Sequence, residues 1–458
     1  MSVSDISTPF VKLHSQVKII DDLLGGTAAM RNAGTAYLHQ MSLESKERYQ
    51  KRLERSTLYP ALSETLSQMT GRVFFKPIDV QDVNQVITDR FLPDVDMLGN
   101  NLDVFAARWF YASLAYGVSY VLVDYTKIND VRTLADEIKV GARPYLVHIK
   151  PQSVLGFKTA MHNGRQVLTQ FRYTENVVVD KDEFTTETME QINVYEIGRV
   201  RKYQKRGEDF ELVDDVELKI AGKRLDFIPI VAFATKNSGE FMLGEPPLME
   251  LAYLNIKHWQ SQSDQDNILN TARVPLLARF GVNQDPTSPN TMQIGGSLID
   301  LPENGDLRYI EHSGNAIGAG QESLKMLESQ IQMAGASLLV KSEIAMTDSQ
   351  TKEEHDKLIS KLRLYANRFE DVLDLTLEYV GKWLGVEKAG SVEITGNIDS
   401  DIDANSSIES IIKLQAAGII SAQTAFSEAK RRGLISDNVE WEDEQARLEN
   451  GELNGFDS

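Results

Sequence analysis

GASLLVKSEIAMTDSQTKEEHDKLISKLRLYANRF, residues 335–369, joins two unlike kinds of chain. Its first half is small, flexible and mostly uncharged, and carries one lysine, Lys341. Its second half opens the longest helical pattern in the sequence. A helix from about Thr351 to Leu384 would span about 50 Å at 1.5 Å per residue. Leu358, Leu362, Tyr365, Phe369, Val372, Thr376, Tyr379 and Trp383 recur at alternating spacings of four and three, a sustained one-sided stripe. The aromatics in that stripe argue for packing against other elements rather than for a lone coiled coil. The sequence therefore sets a mobile loop at the head of its stiffest element.

Working outward, GQESLKMLESQIQMAGASLLV reads as a helix leading into the loop. GEPPLMELAYLNIKHWQSQSDQDNILNTA reads as another, with Pro246 and Pro247 suited to its first turn. Between them, residues 273–319 break into short strands and Gly/Pro turns and form a small module. Residues 143–235 are short runs of β-branched and aromatic residues punctuated at Asn163-Gly164, 207–209 and 221–223, the pattern of an antiparallel meander. In RVRKYQKR the cations Arg199, Arg201 and Lys205 fall on alternate positions, which fits the wet face of a strand or a DNA-facing ridge.

NLDVFAARWFYASLAYGVSYVLVDY predicts an apolar helix passing through Gly117 into a strand at 118–123. Further upstream, Ser42 and Ser45 mark a capped helix start, and Pro60 breaks that helix. Residues 1–35 read as a loosely ordered arm. Beyond Leu384, SVEITGNIDSD is a strand and loop. Two helices follow, the first stopped by Gly418 and the second capped by Ser421, before an acidic end. The fold class expected is α+β.

Composition narrows the chemistry. The 458 residues suffice for about two to four domains. There is no cysteine, which excludes disulfides and thiolate chemistry. No apolar run of membrane-spanning length occurs, and the N-terminus lacks the basic end and apolar centre of a signal peptide. The net charge of −19 speaks against gripping nucleic acid by the overall field. It fits solubility, or a surface that faces DNA without holding it.

GGSLID and GVNQDP lack the Lys-Ser/Thr of a phosphate loop, and HExxH and GxSxG are absent. Asp399, Asp401, Asp403 and Asn405 alternate in DSDIDANSS. Counted from Asp401, however, the glycine and glutamate of an EF-hand are replaced by Ser406 and Ile412. A polar capping loop is the plainer reading there and a structural cation the sharper one. No catalytic residues, cofactor or metal are expected, and the chain reads as a structural or interaction protein rather than an enzyme.

The order of these motifs resembles the portal proteins, or head–tail connectors, of tailed bacteriophages. The resemblance runs from about Tyr37 to Leu448. It rests on YLHQMSLESKERYQKRLERS with GRVFFKP, LDVFAARWFYASLAYGVSYVLVDY, ARPYLVHIKPQSVLGF, IPIVAF before PPLMELAYLNIKHWQSQSD, VPLLARFG, YIEHSGNAI, LESQIQMAGASLLV and the ending IIKLQAAGIISAQTAF.

The resemblance implies an N-terminal arm (1–35), a wing of helices then β meander (36–245) and a first stem helix (246–272). A small α/β clip (273–319), a second stem helix (320–336) and a tunnel loop (337–348) would follow. A long wing and tunnel helix with a returning strand (349–399) and a crown with acidic tail (400–458) complete it. It further implies a homo-oligomeric ring, usually of twelve, at one capsid vertex of a virion assembled in the host cytoplasm. Double-stranded DNA would pass through it during packaging and ejection. Expected partners are the terminase large subunit, the major capsid protein and the head–tail adaptor, with no membrane.

The channel-loop candidates are Leu339, Val340, Lys341, Ser342, Glu343 and Ile344, and the clip docking candidates are Arg279, Asn283, Gln284 and Asp285. One lysine per subunit would centre a duplex without clamping it, since tight binding needs many neutralised phosphates. The competing readings are another ring-forming virion component, such as an adaptor or baseplate part, and a metal-dependent DNA-processing enzyme using the 399–405 carboxylates.

Overall fold

The computed structural model describes residues 2–126, 141–220, 222–273, 276–280, 306–310, 315–339, 341–342, 359–396, 398, 412–431, 435 and 439–449. In chain order the helices are α1 (Thr8–Leu24), α2 (Gly26–Ala33), α3 (Lys46–Arg55), α4 (Ala61–Val73), α5 (Gln85–Arg90) and α6 (Leu102–Tyr116). There follow α7 (Met249–Ala272), α8 (Asn315–Ala336), α9 (Lys361–Leu384), α10 (Ala422–Arg431) and α11 (Trp441–Glu449). The strands used below are β1 (Asp79–Gln81), β2 (Val118–Tyr125), β3 (Pro144–Ile149), β4 (Val154–His162), β5 (Arg165–Asp180), β6 (Thr186–Glu196) and β7 (Arg199–Arg206). After them come β8 (Asp209–Glu217), β9 (Ile230–Ala234), β10 (Leu276–Phe280), β11 (Asp306–Ile310), β12 (Lys341–Ser342), β13 (Ile359–Ser360) and β14 (Ser391–Glu393). The fold is α+β: helices combined with antiparallel sheets. The chain divides into two compact units, one of residues 1–18, 64–248 and 336–458, the other of 19–63 and 249–335.

The first unit is organised by β2. Its residues 118–123 are an unbroken buried run, and a strand buried on both faces must have both edges paired. It takes β9 on one edge, with Ile230 opposite Leu122, and β3 on the other, with Tyr120 opposite Ile149. The expected single meander over 143–235 is thus corrected at both ends. β3 and β9 serve β2, and only β4–β8 form the five-stranded meander. Its two-residue turns fall at Asn163-Gly164, Ile197-Gly198 and 207–208, between the paired positions His162 and Arg165, Glu196 and Arg199, and Arg206 and Asp209.

Helix α6 turns into β2 at Gly117, whose φ is +86°. A Cβ there would meet the Glu245 carbonyl carbon at 2.3 Å, so only glycine fits the corner.

Helix α9 lies on the β9–β2–β3 sheet. Phe369 is fully buried, with ring centroids 5.2 Å from Trp109, 5.4 Å from Phe110 and 4.7 Å from Phe233. The buried face comprises Leu362, Tyr365, Ala366, Phe369, Leu373, Thr376, Leu377, Val380 and Gly381. It is wider than the expected seam because a helix on a sheet buries a broad stripe. Tyr379 and Trp383 are half-buried at its margin, where the Trp383 indole donates to the Val123 carbonyl at 3.0 Å. Past α9, β14 pairs with β1, and the amides of Val392 within it and of Ile394 just after it donate to Asp374 and Glu370, each at 2.7 Å. Burial pushes both carboxyls above their ordinary range.

The loosely ordered arm is overturned. Residues 8–24 are helical, and Phe10, Leu13 and Val17 in the first unit are buried at helical spacing. Phe10 meets Phe157 edge-on at 5.7 Å, and Arg172 donates to the Val3 carbonyl at 2.7 Å, so the start of the chain is tied to the meander.

In the second unit, α7 buries polar side chains against α3 and the Pro60 break. Asn255 accepts from the Leu62 amide at 3.1 Å and donates to the Tyr59 carbonyl at 2.9 Å, meeting backbone groups near the break. Arg52, 3% exposed, forms a fork with Glu44 at 2.8 Å twice, and also donates to the His39 carbonyl at 2.7 Å. The guanidinium holds the Glu44 carboxyl below its ordinary range. Gln265 reaches the Ile317 carbonyl of α8 at 3.0 Å. Gly320 leaves room for this, since a Cβ there would sit 2.1 Å from its amide oxygen.

Phe369→Ala is expected to cost about 3–5 kcal/mol in denaturant unfolding, the usual loss for a buried phenyl ring. A cost near zero would mean the aromatic cluster is not a core. Arg52→Ala is expected to cost a similar amount, about 3–5 kcal/mol, because it strands a buried carboxylate. Adding Glu44→Ala to Arg52→Ala should recover part of that loss, which a double-mutant cycle reads directly.

Candidate functional site

The opening stretch is rooted as follows. After α8 ends, the Leu339 amide donates to the Ala336 carbonyl at 2.9 Å, and the Leu362 amide donates to the Leu338 carbonyl at 3.0 Å. Lys341 pairs with Ser360 and Ser342 with Ile359 in an antiparallel ladder. Ser360 caps α9: its hydroxyl, in a residue 1% exposed, accepts from the Arg363 amide at 3.2 Å. Leu338 and Leu362 are both buried beside this root.

Ser342 and Ile359 therefore hold adjacent backbone positions, and 343–358 lie outside the described residues. The helix begins at Lys361 rather than about Thr351, because the cap and the ladder take Ile359 and Ser360 out of it. Leu358 of the expected stripe and the run 351–357 lie outside the described residues. Of the loop candidates, Leu339, Lys341 and Ser342 belong to this root, while Val340, Glu343 and Ile344 lie outside the described residues.

The module between α7 and α8 also begins and ends side by side. β10 and β11 pair from Leu276 opposite Ile310 to Phe280 opposite Asp306. Arg279 lies on β10, opposite Leu307. Asn283, Gln284 and Asp285 lie outside the described residues. Helix α8 starts at Asn315, five residues earlier than the sequence boundary of 320.

The alternating cations of β7 are matched within their own sheet. Arg199 forms a fork with Asp215, Arg201 reaches Glu196 at 2.9 Å, and Lys205 reaches Glu190 at 3.1 Å. The bonds from Arg199 hold the Asp215 carboxyl below its ordinary range. Positive charge so matched presents no strip of bare cations, and the wet-face reading stands. Among the described residues, no group of three or more metal-ligating side chains occurs. The carboxylates at Asp399, Asp401 and Asp403 lie outside the described residues.

Sequence reasoning missed the root ladder and the cap at Ser360. Ser360 is an N-cap residue type in plain view. The charged run TKEEHDK just before it also suits a helix, and so masked the true start.

The family described as a domain of unknown function (DUF4055) matches residues 247–384, the stretch holding α7, the module, α8, the loop and α9. No curated protein matches the chain. Among solved structures, one titled the neck of an empty GTA particle computed with C6 symmetry superposes with TM-score 0.42 and 13% identity, covering 82% of this chain and 90% of that chain. The virion of a native gene transfer agent particle gives 0.41 and 12%, over 86% and 96%. The neck of a native GTA particle computed with C12 symmetry gives 0.40 and 11%, over 80% and 88%.

Ser360→Ala is expected to cost about 1 kcal/mol through loss of the cap. Hydrogen exchange should show the gain in local opening at the first turn of α9. Unchanged protection of the Arg363 amide would mean the cap does not hold the root.

Proposed function

We propose that this chain is the subunit of a portal ring in a tailed-phage-like virion, a structural channel for double-stranded DNA. The observation that carries the reading is the order and closure of one region. Two long helices, Met249–Ala272 and Asn315–Ala336, flank a module whose ends pair, and the second leads to a loop whose ends pair at the head of α9. That is the arrangement the portal resemblance implies for stem, clip, tunnel loop and tunnel helix. A two-step ladder at its root gives such a loop a defined origin beside a moving duplex. The acidic remainder discourages adhesion. Within this reading, Lys341 contributes one cation per subunit at the loop's root.

The clip is the docking surface for the terminase large subunit and then the head–tail adaptor, with Arg279, Asn283, Gln284 and Asp285 the first residues to test. The major capsid protein surrounds the ring at the vertex, and the chain performs no catalysis.

Replacing 343–358 by a short Gly/Ser turn keeps the ladder and removes the loop. Native mass spectrometry of the unaltered chain should give about twelve times the 51.4 kDa subunit, and the loop-less variant should match it. Particles built with the variant should assemble yet retain little genome. A stable monomer sinks the ring. A full genome retained without the loop sinks the channel-loop role.

A further inference from the structure

The hairpin of β5 and β6 ends in a tip, residues 181–185, that is locked from within. The Asp182 carboxylate accepts from the Phe184 amide at 3.0 Å, the Thr185 amide at 2.9 Å and the Thr185 hydroxyl at 2.5 Å. The Lys181 amide donates to the Thr185 carbonyl at 2.9 Å. This turn holds Phe184 88% exposed. A phenyl ring fixed outward on a preorganised turn forgoes burial in its own chain and loses little freedom on binding, which is how aromatic anchors act. Beside it Asp180, Asp182 and Glu183 outnumber Lys181, so the tip is acidic.

The same unit carries a pocket of about 890 Å³, within the size range of ligand sites. Phe105, Tyr111, Tyr116 and Tyr145 wall it, with Arg108 and Lys150 beside them. Leu98, 79% exposed, also lines it. Among the described residues the one carboxylate lining it, Asp96, is occupied by the Leu98 amide at 3.0 Å and the Asn100 side chain at 2.8 Å, with Arg108 at 3.8 Å. His148, edge-on to Phe105 at 6.4 Å, adds no charge: burial first, then Lys150 and Arg108, push its pKa down to about 4. Two polar atoms are buried in this wall without a hydrogen-bond partner, His148 Nε2 and Thr70 Oγ1, and Thr70 is 9% exposed.

We propose that Phe184 of one copy enters this pocket on a second copy of the chain, with its acidic neighbours facing Arg108 and Lys150. The knob is aromatic and acidic, and the socket is aromatic and cationic. Alone, one leaves a phenyl ring in water, and the other leaves an aromatic pocket with Arg108 and Lys150 beside it unfilled. The inference rests on the ring reading above.

The test replaces Phe184 with the photoreactive p-benzoyl-phenylalanine in the full chain, mixed with isotope-labelled chain and irradiated. Mixed-isotope cross-links from position 184 to 98–116 or 143–150 support the inference. Arg108→Glu with Lys150→Glu should cut their yield at least ten-fold, while the same probe at the exposed Met161 gives none to those segments. Links confined to one chain, links elsewhere, or no links overturn it. Native mass of the same sample separates the two claims. An intact ring without the link rejects only this contact, whereas a monomer rejects the ring reading as well.

Discussion

Strand 118–123 is buried on both faces, and that requirement organises the first unit. Every backbone donor and acceptor along it needs a partner, because water cannot reach it. The chain supplies those partners from two distant segments, 144–149 and 230–234, and sends the five strands between them into a separate sheet. The corner that launches the strand tolerates no side chain at Gly117. It is closed by polar contacts instead: the Ser113 and Ser119 hydroxyls lie 2.6 Å apart, and Thr235 donates to the Ser113 carbonyl at 3.1 Å. Phe369 of α9 then seals the sheet with an aromatic cluster.

The second unit uses a different economy. Its central helix, α7, turns Asn255, His258, Ser263 and Gln265 inward along with Trp259. Asn255 meets the Tyr59 carbonyl and the Leu62 amide at the Pro60 break, Gln265 meets the Ile317 carbonyl, and Ser263 accepts from the Ser56 hydroxyl at 2.9 Å. Hydrogen bonds of this kind add modest net stability but are expensive to leave unmade. They therefore specify one arrangement of the helix ends more strictly than apolar packing would.

The candidate loop inherits its geometry from both devices. Its outgoing end is tied to the backbone of Leu362 through Leu338, and its return is fixed by the cap at Ser360. Helix propensity in the preceding charged run pointed to an earlier start for α9. Propensity is a weak prior, and a ladder partner at Lys341 and Ser342 overrode it. The basic ridge of β7 shows the converse: alternation correctly marked a wet strand face. Only the neighbouring strands and the turn revealed the carboxylates that neutralise it.

By itself the sequence determined the local grammar. The helix through Gly117, the turn at Asn163-Gly164, the break at Pro60, the stop at Gly418 and the cap at Ser421 all stand, because each depends on neighbours within a few residues. The tertiary structure alone decided which strands pair with residues 118–123, that the first residues form a docked helix, and that Ser360 rather than a residue near 351 begins α9. Those outcomes depend on partners tens to hundreds of residues away. Burial and backbone satisfaction are settled between such partners, and no local pattern encodes which distant edge will be free to pair.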